Sequence, residues 1–212
     1  MAEPLQEKHK IWDSYWHDSR LKSTVAESSQ DAEILLEAHW REFFAELPNS
    51  AAVLDLACGN GAVALIAARV SEETGKGFKI YGVDSASIDP AKFVAKEELL
   101  KTIEFTGLTP IELLPYQSGQ FDAVVSQYGI EFADSRAIGE ATRVLKRGGR
   151  FSAITFAANS PPVVQSASKM RQSQYLITST KLFEMATAPT LAPLEKRETA
   201  EVQSCDIYFA HG

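Results

Sequence analysis

The chain has 212 residues, 45% apolar and 23% charged, with a net charge of −7. That length suits one α/β domain with a substantial core, and the acidic balance argues against a nucleic-acid or anionic-membrane surface, because phosphate binding needs clustered Lys and Arg. Cys58 and Cys205 lie far apart without CxxC or Cys/His spacing, no stretch of roughly 18 apolar residues offers a membrane span, and the N-terminus has no apolar signal core, so no disulfide, no metal and a cytoplasmic location are expected.

Residues 1–27 are polar but carry Trp12, Tyr15, Trp16 and His17. On a helix, positions 12, 15 and 16 share one face, which has to bury against something. A second helix is predicted from a cap at Ser28, with Ile34, Leu35, Ala38 and Phe43 near helical spacing, until Pro48 stops it. Strand then alternates with helix. Strands are expected at 52–56, 79–83, 103–105, 121–126 and 150–156, and helices at 62–70, 90–100 and 134–145. The basic run Lys146-Arg147-Gly148-Gly149-Arg150 reads as a solvated turn before the fifth strand. A helix is predicted over 164–185, a loop over 186–193 and a last strand over 206–210. This alternation argues for a parallel sheet covered on both faces.

The central feature is Val53-Leu54-Asp55-Leu56-Ala57-Cys58-Gly59-Asn60-Gly61-Ala62. A buried strand runs into a two-glycine turn and opens a helix, which places a ligand outside the carboxyl end of a central strand. Gly59-x-Gly61-x-x-Ala64 also satisfies a loose dinucleotide fingerprint, so NAD has to be weighed. Asp55, four residues before Gly59, would be an awkward neighbour for a pyrophosphate but suits the ammonium of S-adenosylmethionine (SAM). Asp84 ends the second strand, where a carboxylate can accept both hydroxyls of a ribose, a role common to NAD and SAM sites.

These residues resemble the class I SAM-dependent methyltransferases, in the broad group acting on small molecules that includes quinone-biosynthesis enzymes. Residues 53–61 resemble motif I of that family and Gly82-Val83-Asp84 motif II. Leu114-Pro115-Tyr116 through Phe121-Asp122-Ala123-Val124-Val125-Ser126 resembles the approach to strand four, and residues 143–151 the helix-turn-strand signature before strand five. The resemblance covers about residues 30–157. It implies a three-layer α/β/α Rossmann-like fold with a mostly parallel sheet, SAM as methyl donor and S-adenosylhomocysteine as product. It also implies site residues. Asp55, Ala57, Gly59, Asn60 and Gly61 would hold the methionine end, Asp84 the ribose, and Ser85 and Leu108 the adenine side. Ser126, Gln127 and Tyr128 would face the sulfonium and the substrate.

Family members usually carry an acid after strand three, but residues 106–110 here read Thr-Gly-Leu-Thr-Pro. They also close the sheet with two further strands, of which only 206–210 is a candidate, so the C-terminal strand pair is expected to be incomplete. The chain divides into a helical lid segment, 1–27, a SAM-binding domain, 28–160, and a helical substrate-side extension, 161–212. Trp12, Tyr15, Trp16 and His17 are the lid candidates, as family members often cover the site with an N-terminal helix. Glu131 and Tyr128 are the candidates for a catalytic base, needed only where the nucleophile arrives protonated. Cys58 reads as packing, since small residues are common at that site in the family. The absence of an Asp/Asn-Pro-Pro-Tyr/Phe run after strand four argues against base methylation, and two distant thiols do not suit arsenic. A small O, N or C nucleophile is left, with the protein a monomer or homodimer. Two other readings stay open: a regulatory protein that binds SAM or a nucleoside without catalysis, and an NAD-dependent oxidoreductase.

Overall fold

A computed structural model describes residues 12–17, 21 and 30–179. The chain forms two units, Met1–Ala158 and Asn159–Gly212. In the first, helix α1 (12–17) and helix α2 (Gln30–Ala45) precede strand β1 (Ala52–Leu56) and helix α3 (Ala62–Thr74). Strand β2 (Lys79–Val83), the single-turn helix α4 (Pro90–Phe93), a 3-10 turn (Glu98–Thr102) and strand β3 (Glu104–Thr106) follow. Strand β4 (Phe121–Gln127), a second 3-10 turn (Ile130–Phe132), helix α5 (Arg136–Val144) and strand β5 (Leu145–Ile154) complete it.

The strands pair in the order β3-β2-β1-β4-β5, every pair parallel. From β1 the chain winds outward through β2 and β3, then returns to build β4 and β5 on the other side. The order reverses between β1 and β4, and such a switch opens a crevice at the carboxyl ends of the two strands. Both faces of the sheet are covered, so β1 is buried along almost its whole length. Val53, Ala123 and Val125 pack with Trp40, Phe43 and Phe44 of α2 and with Val63 and Ala64 of α3. Leu54, Leu56 and Val124 pack with Ala137, Ala141 and Val144 of α5. This is the three-layer arrangement expected from the sequence.

Several expectations need correction. Ile34, Leu35 and Ala38 do not form the buried face of α2, for they are exposed, and Trp40, Phe43 and Phe44 make the core contact instead. α3 runs four residues past Val70, because polar residues continue its solvent side until Gly75 takes a left-handed conformation. There Gly75 N–H donates to Glu72 O and Lys76 N–H to Ser71 O, which closes the helix. The helix predicted over 90–100 breaks at Val94, whose backbone leaves helical geometry. Tertiary contacts override helix propensity there, since Glu97 pairs with Arg69 of α3 at 2.9 Å and Leu100 is fully buried. The basic run 146–150 is exposed over Lys146–Gly148 but lies within β5, as an irregularity that shifts the pairing from Phe121↔Leu145 to Ala123↔Arg150.

In the second unit helix α6 (Pro161–Ser179) starts three residues before the predicted Val164, as proline is well suited to a first helical turn. The loop at 186–193 and the strand at 206–210 fall outside the described residues. Among the described residues no helix is long and apolar enough to cross a membrane, and no three His, Cys, Asp or Glu side chains are grouped to hold a metal ion.

Candidate cofactor site

The crevice at the switch point is a cleft open to solvent and lined by Trp16, Leu21, Asp55, Ala57, Cys58, Ala62, Val63, Gln127 and Tyr128. Its floor is the turn after β1. Ala57, Gly59 and Gly61 all take positive φ there, at 52°, 52° and 81°. Leu108 after β3 and Tyr128 after β4 do the same, at 53° and 55°. Left-handed backbone at non-glycine residues stores strain, and such residues cluster where a site over-determines its geometry. Here Ala57 and Tyr128 follow the adjacent strands β1 and β4, and Leu108 lies just beyond β3 at the edge of the sheet.

The two acids read from the sequence brace this turn. Asp84 Oδ2 accepts the Gly59 N–H at 2.8 Å and Oδ1 accepts the Ala86 N–H at 2.8 Å. A carboxylate offers about four acceptor sites, two of which are engaged by these amides. Asp55 is 1% exposed, and its Oδ2 accepts the Ala64 N–H at 3.1 Å, in the first turn of α3. Burial pushes the Asp55 carboxyl up to about 8, the Ala64 amide opposes the shift, and nearby Asp84 adds to it. The Gly61 N–H donates to Cys58 O at 2.8 Å. The amides of Gly59, Gly61 and Ala64, with which such a turn would cradle a phosphate, therefore all have internal partners. The cleft instead presents a buried carboxyl group.

Across the cleft, Gln127 and Tyr128 project from the end of β4. Gln127 Oε1 accepts the Trp40 indole N–H at 2.7 Å. The Tyr128 ring stacks on Phe156, with centroids 4.4 Å apart and planes at 18°. Burial, and then the Glu131 charge, raise its phenol above the ordinary tyrosine range. Gly129 follows, where a Cβ would lie 2.5 Å from Ala57 Cβ and force the turn after β1 to shift. Ser126 is fully buried, and its hydroxyl donates to Leu56 O and accepts from Ile130 N–H. It joins the ends of β1 and β4 and does not line the cleft. Glu131 is exposed, accepts the Phe156 N–H at 3.2 Å, and is likewise outside the cleft lining.

On the β3 side, the Leu108 N–H donates to Ala86 O at 2.9 Å, which ties that loop to the half-buried Ser85 and its neighbours, while the Leu108 side chain is 68% exposed. Helix α1 lies over the same edge. The Trp16 carbonyl accepts Asn60 Nδ2 at 2.9 Å, and its ring sits where a Gly59 Cβ would be, 2.3 Å from that position. Asp13 accepts the Ser87 N–H at 2.6 Å. Trp12 packs on Phe132 and on Tyr15, Tyr15 on Trp16, and the exposed His17 on Phe93. α1 thus touches the loops after β1 and β2 and the turn after β4. Sequence reasoning missed Trp40, which lies deep in α2. The only signal available was chemical, since a buried indole N–H needs an acceptor.

Residues 48–204 match the family model described as a methyltransferase domain, about three quarters of the chain. This chain belongs to that methyltransferase-domain family. It is similar to a demethylmenaquinone methyltransferase from Lactococcus lactis, 34% identical over 54% of this chain and 46% of the relative. It is also similar to the ubiquinone/menaquinone biosynthesis C-methyltransferase UbiE of a Geobacter species, 30% identical over 60% of this chain and 56% of the relative. The chain spans about half the length of these relatives. Among solved structures, the cyclase SpnF superposes with a TM-score of 0.56 at 24% identity, over 72% of this chain and 60% of that one. That likeness concerns the fold alone, and fold by itself does not fix chemistry.

Proposed function

We propose that this methyltransferase-domain protein binds SAM at the carboxyl edge of β1 and transfers its methyl group to a small organic acceptor. The observation that carries the reading is Asp55. It is a buried carboxylate bordering the cleft, and among the described residues no cationic side chain is paired with it. A cationic ammonium would take the place of the proton that burial holds on Asp55 and pair with the carboxylate, whereas a pyrophosphate would bring more negative charge beside two buried acids and meet a turn whose Gly59, Gly61 and Ala64 amides are already engaged. In this reading Asp84, behind the same turn, takes the ribose hydroxyls, and Leu108 and Ser85 take the adenine side.

SAM supplies a methyl group on a positively charged sulfur. Bound there, it would supply that carbon as the electrophile for in-line displacement, with a neutral thioether as leaving group. The residues of this chain bind, align and keep water out. α1, with Trp12, Tyr15 and Trp16, covers the edge as a lid. Tyr128, like any tyrosine, is protonated at neutral pH, and burial shifts its phenol further upward, so it acts as a hydrogen-bond donor rather than a base. The names of the relatives point to a quinone-type ring with a carbon nucleophile as the acceptor. Incubation with radiolabelled SAM and a reduced 1,4-naphthoquinone is the test. Label in the organic product is expected. Binding of S-adenosylhomocysteine with no transfer to naphthoquinol or to phenol and amine acceptors would instead mark a non-catalytic binding protein.

A further inference from the structure

Trp40 is fully buried, and its indole N–H donates to the Gln127 side chain at 2.7 Å. An indole nitrogen only donates, so its partner atom has to be the amide oxygen, which fixes the orientation of the Gln127 carboxamide. Nε2, with two N–H groups, is the remaining end, and among the described residues it makes no hydrogen bond. Gln127 is half-buried and lines the cleft.

The register sets what lies opposite. Asp55 pairs with Val125, and Gln127 is two residues further along the same strand. Side chains alternate along a strand, so Asp55, Val125 and Gln127 share one face of the sheet, the face that α2 and α3 cover. One strand spacing and two residues of rise put the Asp55 and Gln127 Cα atoms about 8 Å apart. The cleft therefore has a carboxyl group on one wall, which a cation would hold ionised, and a neutral N–H donor on the adjacent wall. An α-amino acid head, with ammonium and carboxylate on one carbon, is complementary to that pair.

We infer that Gln127, oriented by Trp40, donates to the α-carboxylate of the cofactor's amino-acid end while Asp55 takes its ammonium. This assignment rests on the SAM reading. Trp40 is a positioning residue: it touches no ligand and acts by preventing the amide from turning over. Its contribution differs from core packing, because it concerns one group of the ligand.

The test is equilibrium binding of three nucleosides to the full chain. S-adenosylhomocysteine carries both head groups, its decarboxylated aminopropyl analogue carries the ammonium alone, and 5′-methylthioadenosine carries neither. Gln127→Leu is expected to weaken S-adenosylhomocysteine by roughly ten- to hundredfold, the worth of a hydrogen bond to a charged group. The other two ligands should change little. Gln127→Glu still accepts from Trp40 but turns an oxygen toward the cleft, so it should weaken S-adenosylhomocysteine further and tighten the aminopropyl analogue. Trp40→Phe should weaken S-adenosylhomocysteine severalfold and spare 5′-methylthioadenosine. Since Trp40 is in the core, the two Gln127 variants decide the matter if Trp40→Phe does not fold. Gln127 variants that weaken all three ligands alike, or none, overturn the assignment. A parent chain that binds none of the three refutes the cofactor reading itself, and the assignment falls with it.

Discussion

The Asp84 carboxylate accepts the Gly59 N–H at 2.8 Å, which locks the turn after β1 to the end of β2. The same carboxylate accepts the Ala86 N–H, so one side chain fixes two loops at the carboxyl edge of the sheet. Asp84→Ala leaves both buried amides without that acceptor, at about 1–3 kcal/mol each. Asp84→Asn keeps one oxygen and should lose about half as much. Urea denaturation of the ligand-free protein measures both, with calorimetry reporting the accompanying loss of S-adenosylhomocysteine affinity. An Ala variant with an unchanged urea midpoint would show that the turn holds without Asp84.

Asp55 gives a pH dependence of definite sign. Its folded-state carboxyl titrates at about 8, above the ordinary 3.8, so between those values the native state holds a proton that the unfolded chain has released. The Asp55 contribution to stability therefore falls as pH rises from about 4 to 8. Asp55→Asn removes that dependence and can still accept from Ala64. It should melt above the parent at pH 8 and converge with it below pH 4, while losing affinity for S-adenosylhomocysteine. Thermal melts across pH 4–9 check this, and an Asn variant less stable than the parent at pH 8 would contradict it.

These two acids also mark the limits of the sequence. Their spacing from Gly59 and the apolar run of β1 made the strand and the turn legible, because backbone geometry and charge are local properties. Their hydrogen bonds to Gly59, Ala64 and Ala86 were not legible, because each depends on a rotamer set by packing. Helix α2 shows the same division. Its existence follows from composition, but the face that Trp40, Phe43 and Phe44 bury is chosen by the sheet, and Ile34 and Leu35 fit the helical period equally well while facing water. Ser126 stands at the end of β4 as read, yet it points to the α5 face, where its hydroxyl is held by Leu56 and Ile130.

Gly59 and Trp16 should be energetically coupled. Gly59 has φ of +52°, and a Cβ there would overlap the Trp16 ring. Gly59→Ala should cost about 1–3 kcal/mol from backbone strain and the displaced ring. Adding Trp16→Ala should recover the steric part, giving a coupling of at least about 0.5 kcal/mol in a double-mutant cycle. Strictly additive effects would place the indole elsewhere.

Tyr128→Phe keeps the stack on Phe156 and removes only the hydroxyl. If that hydroxyl donates to the acceptor, the turnover rate should fall about two- to tenfold, as expected for one neutral hydrogen bond, with S-adenosylhomocysteine affinity unchanged. Steady-state kinetics alongside calorimetry separate the two. An effect on affinity alone would make Tyr128 a cofactor contact.

The central claim is that the cleft between β1 and β4 takes a cationic amino-acid nucleoside. Calorimetric titration of the ligand-free chain with S-adenosylhomocysteine and, separately, with NAD tests it directly. Saturable one-to-one binding of S-adenosylhomocysteine, abolished in Asp55→Asn, and no heat from NAD is the predicted result. Binding of NAD without S-adenosylhomocysteine, or binding that ignores Asp55, would contradict the account.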